Sequence, residues 1–196
     1  ALSDNHNVYV NIAKGTKPGD INPETDDERF RKVNEESVWS YELGAKGRIG
    51  DRISYAIAAY RSDVDEQQLT TLVELADGRT ASLLTNAGRT RVNGLEGELT
   101  IAPDEFWEFS FSYAWTDATF RDYVSSEQAD LLGSDGSLAS NNALGSVAGN
   151  RLPRIPLHTA SMLLSYTRPV SHQAEAYTVA DLSLESSRFA QEHNLI

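Results

Sequence analysis

The 196-residue sequence contains no cysteine and no long apolar run. Without cysteine, disulfide frameworks, thiolate zinc sites and cysteine nucleophiles are excluded together. No window approaches the ~20 consecutive apolar residues that a membrane helix requires, and the mean hydropathy is −0.42. These features leave a membrane β-barrel open, because its lipid-facing residues alternate with lumen-facing ones and keep the mean hydropathy low.

Basic residues are scarce as well. The sequence has 17 Lys and Arg against 29 Asp and Glu, which gives a formal net charge of −12. A nucleic-acid-binding protein carries a basic patch or stripe, and this composition argues against one. We therefore expect no nucleic-acid partner.

Signatures of catalysis and of metal binding are missing. The four histidines lack the close pairing on one element that a zinc site shows; they are His6, His158, His172 and His193. The sequence has no GxSxG elbow, phosphate loop or EF-hand run. Glu96 and Glu98 share a strand face, as a glycosidase pair can, but any strand with one wet face gives the same spacing. We expect no enzyme activity, no metal site and no cofactor.

Alternation of apolar and polar residues is abundant. In EFWEFSFSYAW, residues 105–115, an aromatic residue stands at every second position from Trp107 to Trp115, with small or polar residues between them. Successive side chains of a β-strand point to opposite faces, so one face of this strand is wholly aromatic. A soluble sandwich would bury that face in its core, whereas an outer-membrane barrel would turn it toward lipid.

The same period of two recurs along the chain and predicts an all-β antiparallel meander of about seven or eight long strands. The reversals alternate in length: long at 14–36, short at 50–51, medium at 76–80, short at 103–105 and long at 121–154. Consecutive antiparallel strands turn at opposite ends, so the short turns gather at one end, as they do in bacterial outer-membrane barrels. Charged residues opposite the apolar faces, such as Glu108, fit a wet lumen and equally the solvent face of a sandwich. The pattern alone leaves both folds open.

Four stretches of sequence resemble, in order, the C-terminal barrel half of TonB-dependent outer-membrane receptors. They are VYVNIAKGTKPGDIN, WSYELGAKGRIGDRISYAIAAYRSDVDEQQ, TNAGRTRVNGLEGELTIAPDEFWEFSFSYAWTDATF and GNRLPRIPLHTASMLLSY. The family's YELGLKG is matched by Tyr41, Glu42, Leu43, Gly44 and Lys46, and its NAG...GVELE by Asn86, Ala87, Gly88, Gly94 and Glu96. Asp20 stands where glycine is common, and Gly97 where an apolar residue is common. After residue 168 the resemblance weakens, because the hairpin expected between SYT and AYTVADLSL looks shortened or missing.

This resemblance implies part of a 22-stranded transmembrane β-barrel that a globular plug fills, in the bacterial outer membrane. Residues 1–196 are then a partial barrel domain, an open curved sheet without the plug, with long extracellular loops at 14–36 and 121–154. The implied function is import of a scarce ligand, above all a ferric siderophore, driven by the inner-membrane TonB complex acting on the plug. The alternatives are a soluble all-β binding or adhesion module and a passive porin-like channel.

The strand pattern and the resemblance together assign three groups of residues. Those expected to face the outer-membrane lipid are Trp39, Tyr41, Leu43, Ile53, Tyr55, Ile57, Trp107, Phe109, Phe111, Tyr113 and Trp115. Those expected to face the lumen are Glu42, Lys46, Arg48, Glu96 and Glu98. Cations expected to attract an anionic siderophore complex are Lys14, Lys17, Arg29, Arg31 and Lys32. Their loop also contains Glu24, Asp26, Asp27 and Glu28, so a plain solvated loop is the competing interpretation.

Overall fold

The computed structural model describes residues 5–86, 88–123, 146–191 and 194. Within these residues the chain forms β-strands and one short helix. In chain order they are β1 (His6–Lys17), β2 (Asp20–Ile21), α1 (Glu28–Arg31), β3 (Lys32–Val33), β4 (Glu36–Ile49), β5 (Ile53–Asp65), β6 (Gln68–Glu74), β7 (Thr80–Asn86), β8 (Arg89–Ile101), β9 (Trp107–Asp122), β10 (His158–Ser171) and β11 (Ala174–Glu185). The described part of the chain has no helix that is long and apolar enough to cross a membrane.

Seven strands form one antiparallel sheet in the order β1-β4-β5-β8-β9-β10-β11. Each of these strands pairs with the next one of the seven along the chain, so the sheet is a meander. The register is continuous across its centre, where Leu43 lies opposite Ala59, Ala59 opposite Leu95 and Leu95 opposite Trp115. Side chains at directly opposite positions share a face of the sheet. The predicted all-β meander is therefore confirmed.

The two ends of the sheet differ in the way that the sequence predicts. β4 and β5 are joined at residues 50–52, and β8 and β9 are joined at residues 102–106, both at the same end. Gly50 has φ 60°, in the left-handed region that glycine enters readily. At the other end β5 and β8 are connected through β6 and β7, which form a hairpin of their own with its tip at residues 75–79. We call these the short-turn end and the long-loop end.

After residue 168 the connection is short, in line with the interpretation that the family's usual hairpin is shortened or missing here. β10 and β11 pair directly, from Thr159 opposite Glu185 to Ser171 opposite Ala174. Their turn lies at the short-turn end. Because β10 pairs with β9 only as far as Tyr166 opposite Trp107, residues 167–171 extend beyond the neighbouring turn.

The first long loop is shorter than the predicted range 14–36. β1 continues to Lys17 and β4 begins at Glu36, so the connection spans residues 18–35 and contains β2, α1 and β3. In the second loop, residues 124–145 of the predicted range 121–154 lie outside the described residues. Residues 146–152 return along the end of β9, where Thr119 and Arg151 form an antiparallel bridge.

The main sheet is a single layer. Its strands chiefly contact their neighbours in the sheet, and its apolar side chains stay exposed, with Val10 at 69% and Ile12 at 62%. Buried side chains such as Phe120 and Val147 lie at the long-loop end. A two-layer sandwich would bury one face of this sheet, so the sandwich interpretation is wrong for this chain.

Candidate functional site

Two segments at the long-loop end, residues 18–35 and 66–86, fold against each other. We call them the loop layer. Its apolar centre consists of the buried side chains Val73, Leu75 and Leu83 on the β6–β7 hairpin, with Phe30 and Ala81 packed against them. Phe30 belongs to α1, so the short helix places an aromatic ring on the hairpin. Burial of this apolar surface stabilises the contact between the two segments.

Asn22 joins the two segments through its side-chain amide. Its Nδ2 donates to the carbonyl oxygens of Leu84, at 2.8 Å, and Phe30, at 2.6 Å. The backbone N–H of Leu84 donates back to Asn22 Oδ1 at 3.3 Å. The amide therefore bonds β7 in the manner of a neighbouring backbone peptide. Asn22 is buried, and these bonds satisfy the polar atoms that burial removes from water.

Gln68, the first residue of β6, holds both ends of segment 18–35. Its Nε2 donates to the carbonyl oxygen of Pro18 at 2.9 Å and to that of Asn34 at 3.0 Å. Its backbone N–H donates to Glu36 Oε2 at 2.7 Å. Asn34 is also bonded through its backbone N–H to Asn86 Oδ1 at 2.8 Å. The start and the end of the segment are thus fixed to the same hairpin.

Asp27 caps the N-terminus of α1 and connects it to the hairpin tip. Arg29 Nη2 donates to Asp27 Oδ2 at 2.7 Å, and the backbone N–H of Ala76 donates to the same oxygen at 2.9 Å. The backbone N–H of Arg29 donates to Oδ1. The hydrogen bonds from the Arg29 guanidinium, together with those from the backbone of Ala76 and Arg29, hold the pKa of Asp27 well below its ordinary value.

The predicted ligand-binding cations occupy different places. Lys14 lies within β1, where its Nζ is 5.8 Å from the centroid of the Trp39 ring. Lys17 ends β1, and Lys32 begins β3; both side chains are exposed. Their role in ligand binding stays a prediction.

The two arginines of the predicted set are on α1, and both lie near carboxylates. Arg29 forms an ion pair with Asp27 at 2.7 Å. Arg31 Nη1 lies 3.9 Å from a carboxylate oxygen of Asp26 and 3.8 Å from one of Glu28. These carboxylates reduce the positive potential that the arginines present to an anion. The mixture of charges in the loop was the one sign of this pairing before the fold was known.

One face of the main sheet carries the aromatic residues of β9, and we call it the aromatic face. The register places all the residues predicted to face lipid on it. The Trp107 and Tyr166 rings lie 4.4 Å apart at the short-turn end, and the Trp39 and Tyr41 rings lie 6.4 Å apart toward the long-loop end. From Trp39 to Ile49, β4 presents alternate side chains to this face, and a tilted membrane strand requires ~9–11 residues. Contact with lipid remains the prediction that these distances support.

The opposite face of the sheet, which we call the polar face, carries every residue predicted to face the lumen. Tyr9 Oη donates to Glu42 Oε1 at 2.6 Å. The Tyr9 ring crosses Gly44, where a Cβ atom would lie 2.3 Å from the ring. Lys46 and Glu98 share a row on either side of Ala56. Whether these side chains contact a plug stays a prediction.

An apolar cluster at the long-loop end covers the polar face of β9. Ala118, Phe120, Val147 and Leu152 are buried together, and Val92 packs against them. Backbone hydrogen bonds hold the returning segment in place, with the N–H of Leu152 donating to the carbonyl oxygen of Ala118 at 2.8 Å. Sequence reasoning missed this cluster. A signal in the sequence could have revealed it. Ala118 and Phe120 stand at even-numbered positions near the end of β9, where apolar residues replace the small or polar ones found at even-numbered positions earlier in the strand.

The comparisons with known proteins agree with this architecture. Residues 1–193 match the family model described as TonB dependent receptor-like, beta-barrel. Two solved structures match 98% of the chain and 25% of their own length: the ferric yersiniabactin uptake receptor FyuA from Yersinia pestis (TM-score 0.70, 18% identity) and the ferric preacinetobactin receptor BauA from Acinetobacter baumannii (TM-score 0.66, 16% identity).

A third solved structure, the copper transporter OprC, matches 97% of the chain with a TM-score of 0.64 and 18% identity. The chain covers 26% of that structure, so it spans about a quarter of the length of the proteins it resembles. The single-layer sheet, its two contrasting faces and the family match over nearly the whole chain agree with one another. The chain belongs to the TonB-dependent receptor β-barrel family of the bacterial outer membrane.

Proposed function

We propose that the complete protein containing this chain is a gated receptor that imports a ferric siderophore across the outer membrane. Energy comes from the inner-membrane TonB complex, which acts on a plug inside the barrel. The observation that carries the proposal is the family match over residues 1–193. Two of the matched structures, FyuA and BauA, are receptors for ferric chelates. Transport of this kind makes and breaks no covalent bond, so the proposal assigns the protein no enzyme activity.

In this proposal the two faces of the sheet have separate roles. The aromatic face contacts lipid, with Trp107 and Trp39 near the two membrane interfaces that amphipathic rings prefer. The polar face lines the lumen, where Glu42, Lys46 and Glu98 stay hydrated or pair with the plug. The loop layer then lies outside the cell, since short turns of bacterial barrels face the periplasm.

Ligand contact in this part of the receptor falls to the loop layer. Lys17 and Lys32 are exposed cations there, and local positive charge steers anions even toward an acidic protein. Segment 18–35 is held at both ends by Gln68, so a ligand would meet a largely preformed surface. A preformed surface loses less conformational entropy on binding than a free loop does.

Uptake of radioactive iron by whole cells tests the proposal. Cells lacking the gene are compared with cells that express the full receptor, each supplied with ⁵⁵Fe bound to a panel of siderophores, in backgrounds with and without TonB. We expect receptor-dependent uptake of at least one chelate, and its loss without TonB. Uptake that persists without TonB would indicate a passive channel, and equal uptake with and without the gene would reject iron import.

Copper is the second candidate cargo, because OprC, a copper transporter, is among the matched structures. The same strains, supplied with a copper isotope and no siderophore, separate the two proposals. Receptor-dependent copper uptake without any receptor-dependent iron uptake would favour copper.

A further inference from the structure

The aromatic face changes from apolar to charged over two adjacent rows near the long-loop end. The row through Tyr41 consists of Ile12, Tyr41, Arg61, Asn93 and Asp117. The next row outward consists of Lys14, Trp39, Asp63, Arg91 and Thr119. The row on the other side of Tyr41 contains Val10, Leu43 and Leu95 and is apolar on these strands. The cations Lys14, Arg61 and Arg91 form what we call the cationic strip.

Contacts within the strip balance only part of its positive charge. Lys14 lies 5.8 Å from the Trp39 ring centroid. Asp63 accepts from Arg61 Nε at 2.8 Å and from Arg91 Nε at 2.5 Å, so two guanidiniums share one carboxylate. Asp117 is the second carboxylate in these rows, and three cations therefore face two acids. The Arg61 side chain is 46% exposed, which leaves donors free to bind a further anion.

The position of the strip identifies what it meets in the membrane. Trp and Tyr rings favour the level of the lipid headgroups, and Trp39 and Tyr41 lie in the same two rows as the cations. A charge facing the hydrocarbon core is costly, and the cost falls toward the interface. Side chains of the aromatic face point away from the lumen, so the cations of the strip cannot contact a ligand passing through it.

We propose that Lys14, Arg61 and Arg91 form a binding site for the phosphate groups of lipid headgroups in the outer leaflet. A guanidinium presents a planar fork of donors that matches a phosphate, and an ammonium adds a point charge. Basic side chains at a membrane surface attract anionic lipid. The protein as a whole is acidic, with a net charge of −12. The overall negative charge of the protein repels anionic headgroups. A local cationic site is therefore needed to bind them at the lipid-facing surface of the barrel. This inference is independent of the cargo and of TonB.

Binding of a defined lipid to the full receptor in mild detergent tests the proposal. The probe is diphosphoryl lipid A, compared with its monophosphoryl form, with bound lipid counted by native mass spectrometry. We expect the wild-type receptor to prefer the diphosphoryl form, and the variant K14Q/R61Q/R91Q to bind it at least ~10-fold more weakly, because each basic residue contributes roughly fivefold. The control K46Q/R48Q removes two cations from the polar face and should bind as the wild type does.

Three outcomes would overturn the proposal. The triple variant could bind the lipid as the wild type does, the control could lose binding equally, or a large excess of inorganic phosphate could displace the lipid, which would indicate a general anion site. Should the triple variant fail to fold, K14Q alone leaves the Asp63 ion pairs intact. Roughly fivefold weaker binding by K14Q supports the proposal, and unchanged binding rejects it.

Discussion

Asn22 and Leu84 are 62 positions apart in the chain, and the side-chain amide of the first bonds both backbone polar groups of the second, at 2.8 and 3.3 Å. Replacing Asn22 with alanine leaves the N–H and C=O of Leu84 without these partners. A buried polar group left unpaired costs ~1–3 kcal/mol. We therefore expect Asn22→Ala to raise the hydrogen-exchange rate of segments 18–35 and 80–86 by about tenfold or more, measured by mass spectrometry on the full receptor.

The variant Asn22→Asp sharpens this test. Aspartate still accepts from the Leu84 N–H, but its carboxylate then faces the carbonyl oxygens of Leu84 and Phe30, which the amide had donated to. Exchange should increase in this variant too. The exposed Asn11 provides the control, and Asn11→Ala should leave the loop layer unchanged. If segments 18–35 and 80–86 exchange as slowly in Asn22→Asp as in the wild type, the hydrogen bonds that the amide donates do not stabilise the loop layer.

The lowered pKa of Asp27 predicts that the loop layer loses stability in acid. The pKa of Asp27 is lower in the folded protein than the ordinary value of about 3.9, because Arg29 and the backbone of Ala76 and Arg29 donate to the carboxylate. A carboxyl with a depressed folded-state pKa contributes stability above the unfolded value, and this contribution is lost as pH falls through the folded value. Proteolysis of segment 18–35 should therefore be constant near neutral pH and accelerate progressively below about pH 4.

Asp27→Asn isolates the charge, because asparagine can still accept from Ala76. Proteolysis of the variant should be faster than that of the wild type at neutral pH and should change less below pH 4. An acid response identical to that of the wild type would assign the effect to other carboxyls. Acid-stable proteases such as pepsin are suited to the low end of the range.

Ile57 lies in the middle rows of the aromatic face, between the rings at the two ends, and is 55% exposed. If this face contacts lipid, an arginine at the depth of Ile57 lowers the free energy of unfolding by ~2–4 kcal/mol. An arginine beyond the aromatic rows lowers it by only ~0–1 kcal/mol. Ser37 supplies the second position, because it lies on the same face of β4 just beyond Trp39. In guanidinium unfolding of the full receptor from lipid vesicles, Ile57→Arg should lower stability far more than Ser37→Arg. Equal losses would argue that the face does not meet the bilayer.

Gly88 joins the β6–β7 hairpin to the main sheet, with φ 52°. A Cβ atom there would lie 1.7 Å from the backbone carbonyl oxygen of Asp122, and backbone cannot move aside as a side chain can. Gly78 also has positive φ, at 80°, but nothing lies within 4 Å of its Cβ position. Positive φ alone costs alanine roughly 1–2 kcal/mol. Gly88→Ala should therefore destabilise the receptor more than Gly78→Ala, measured by thermal unfolding. Equal melting temperatures for the two variants would contradict the steric explanation.

The sheet could be predicted because the alternation that marks each strand lies in residues adjacent in sequence. The backbone fixes the period of two, so Trp107, Leu43 and Ile57 could be assigned to one face before the register was known. The direct pairing of β10 with β11 agrees with the interpretation that the hairpin between SYT and AYTVADLSL is shortened or missing, because the short segment around His172 forms the turn by itself.

The loop layer could not be predicted in the same way. Contacts between its two segments join residues far apart in the chain, 50 positions for Gln68 and Pro18, and several of them use side-chain amides in place of regular backbone pairing. No periodicity marks such residues. Asp27 did carry a local signal, an acidic residue before a short helical stretch that ends in basic residues, but its bond to Ala76 depends on the folded hairpin.

The union of segments 18–35 and 66–86 also determines which antibodies can recognise the folded chain at this surface. Asn22, Gln68 and Asp27 fix the shape of a surface drawn from two distant parts of the chain. An antibody raised against the folded receptor at this surface recognises a conformational epitope. A linear peptide copied from residues 18–35 lacks the hairpin that shapes it and is a poor immunogen for the native protein.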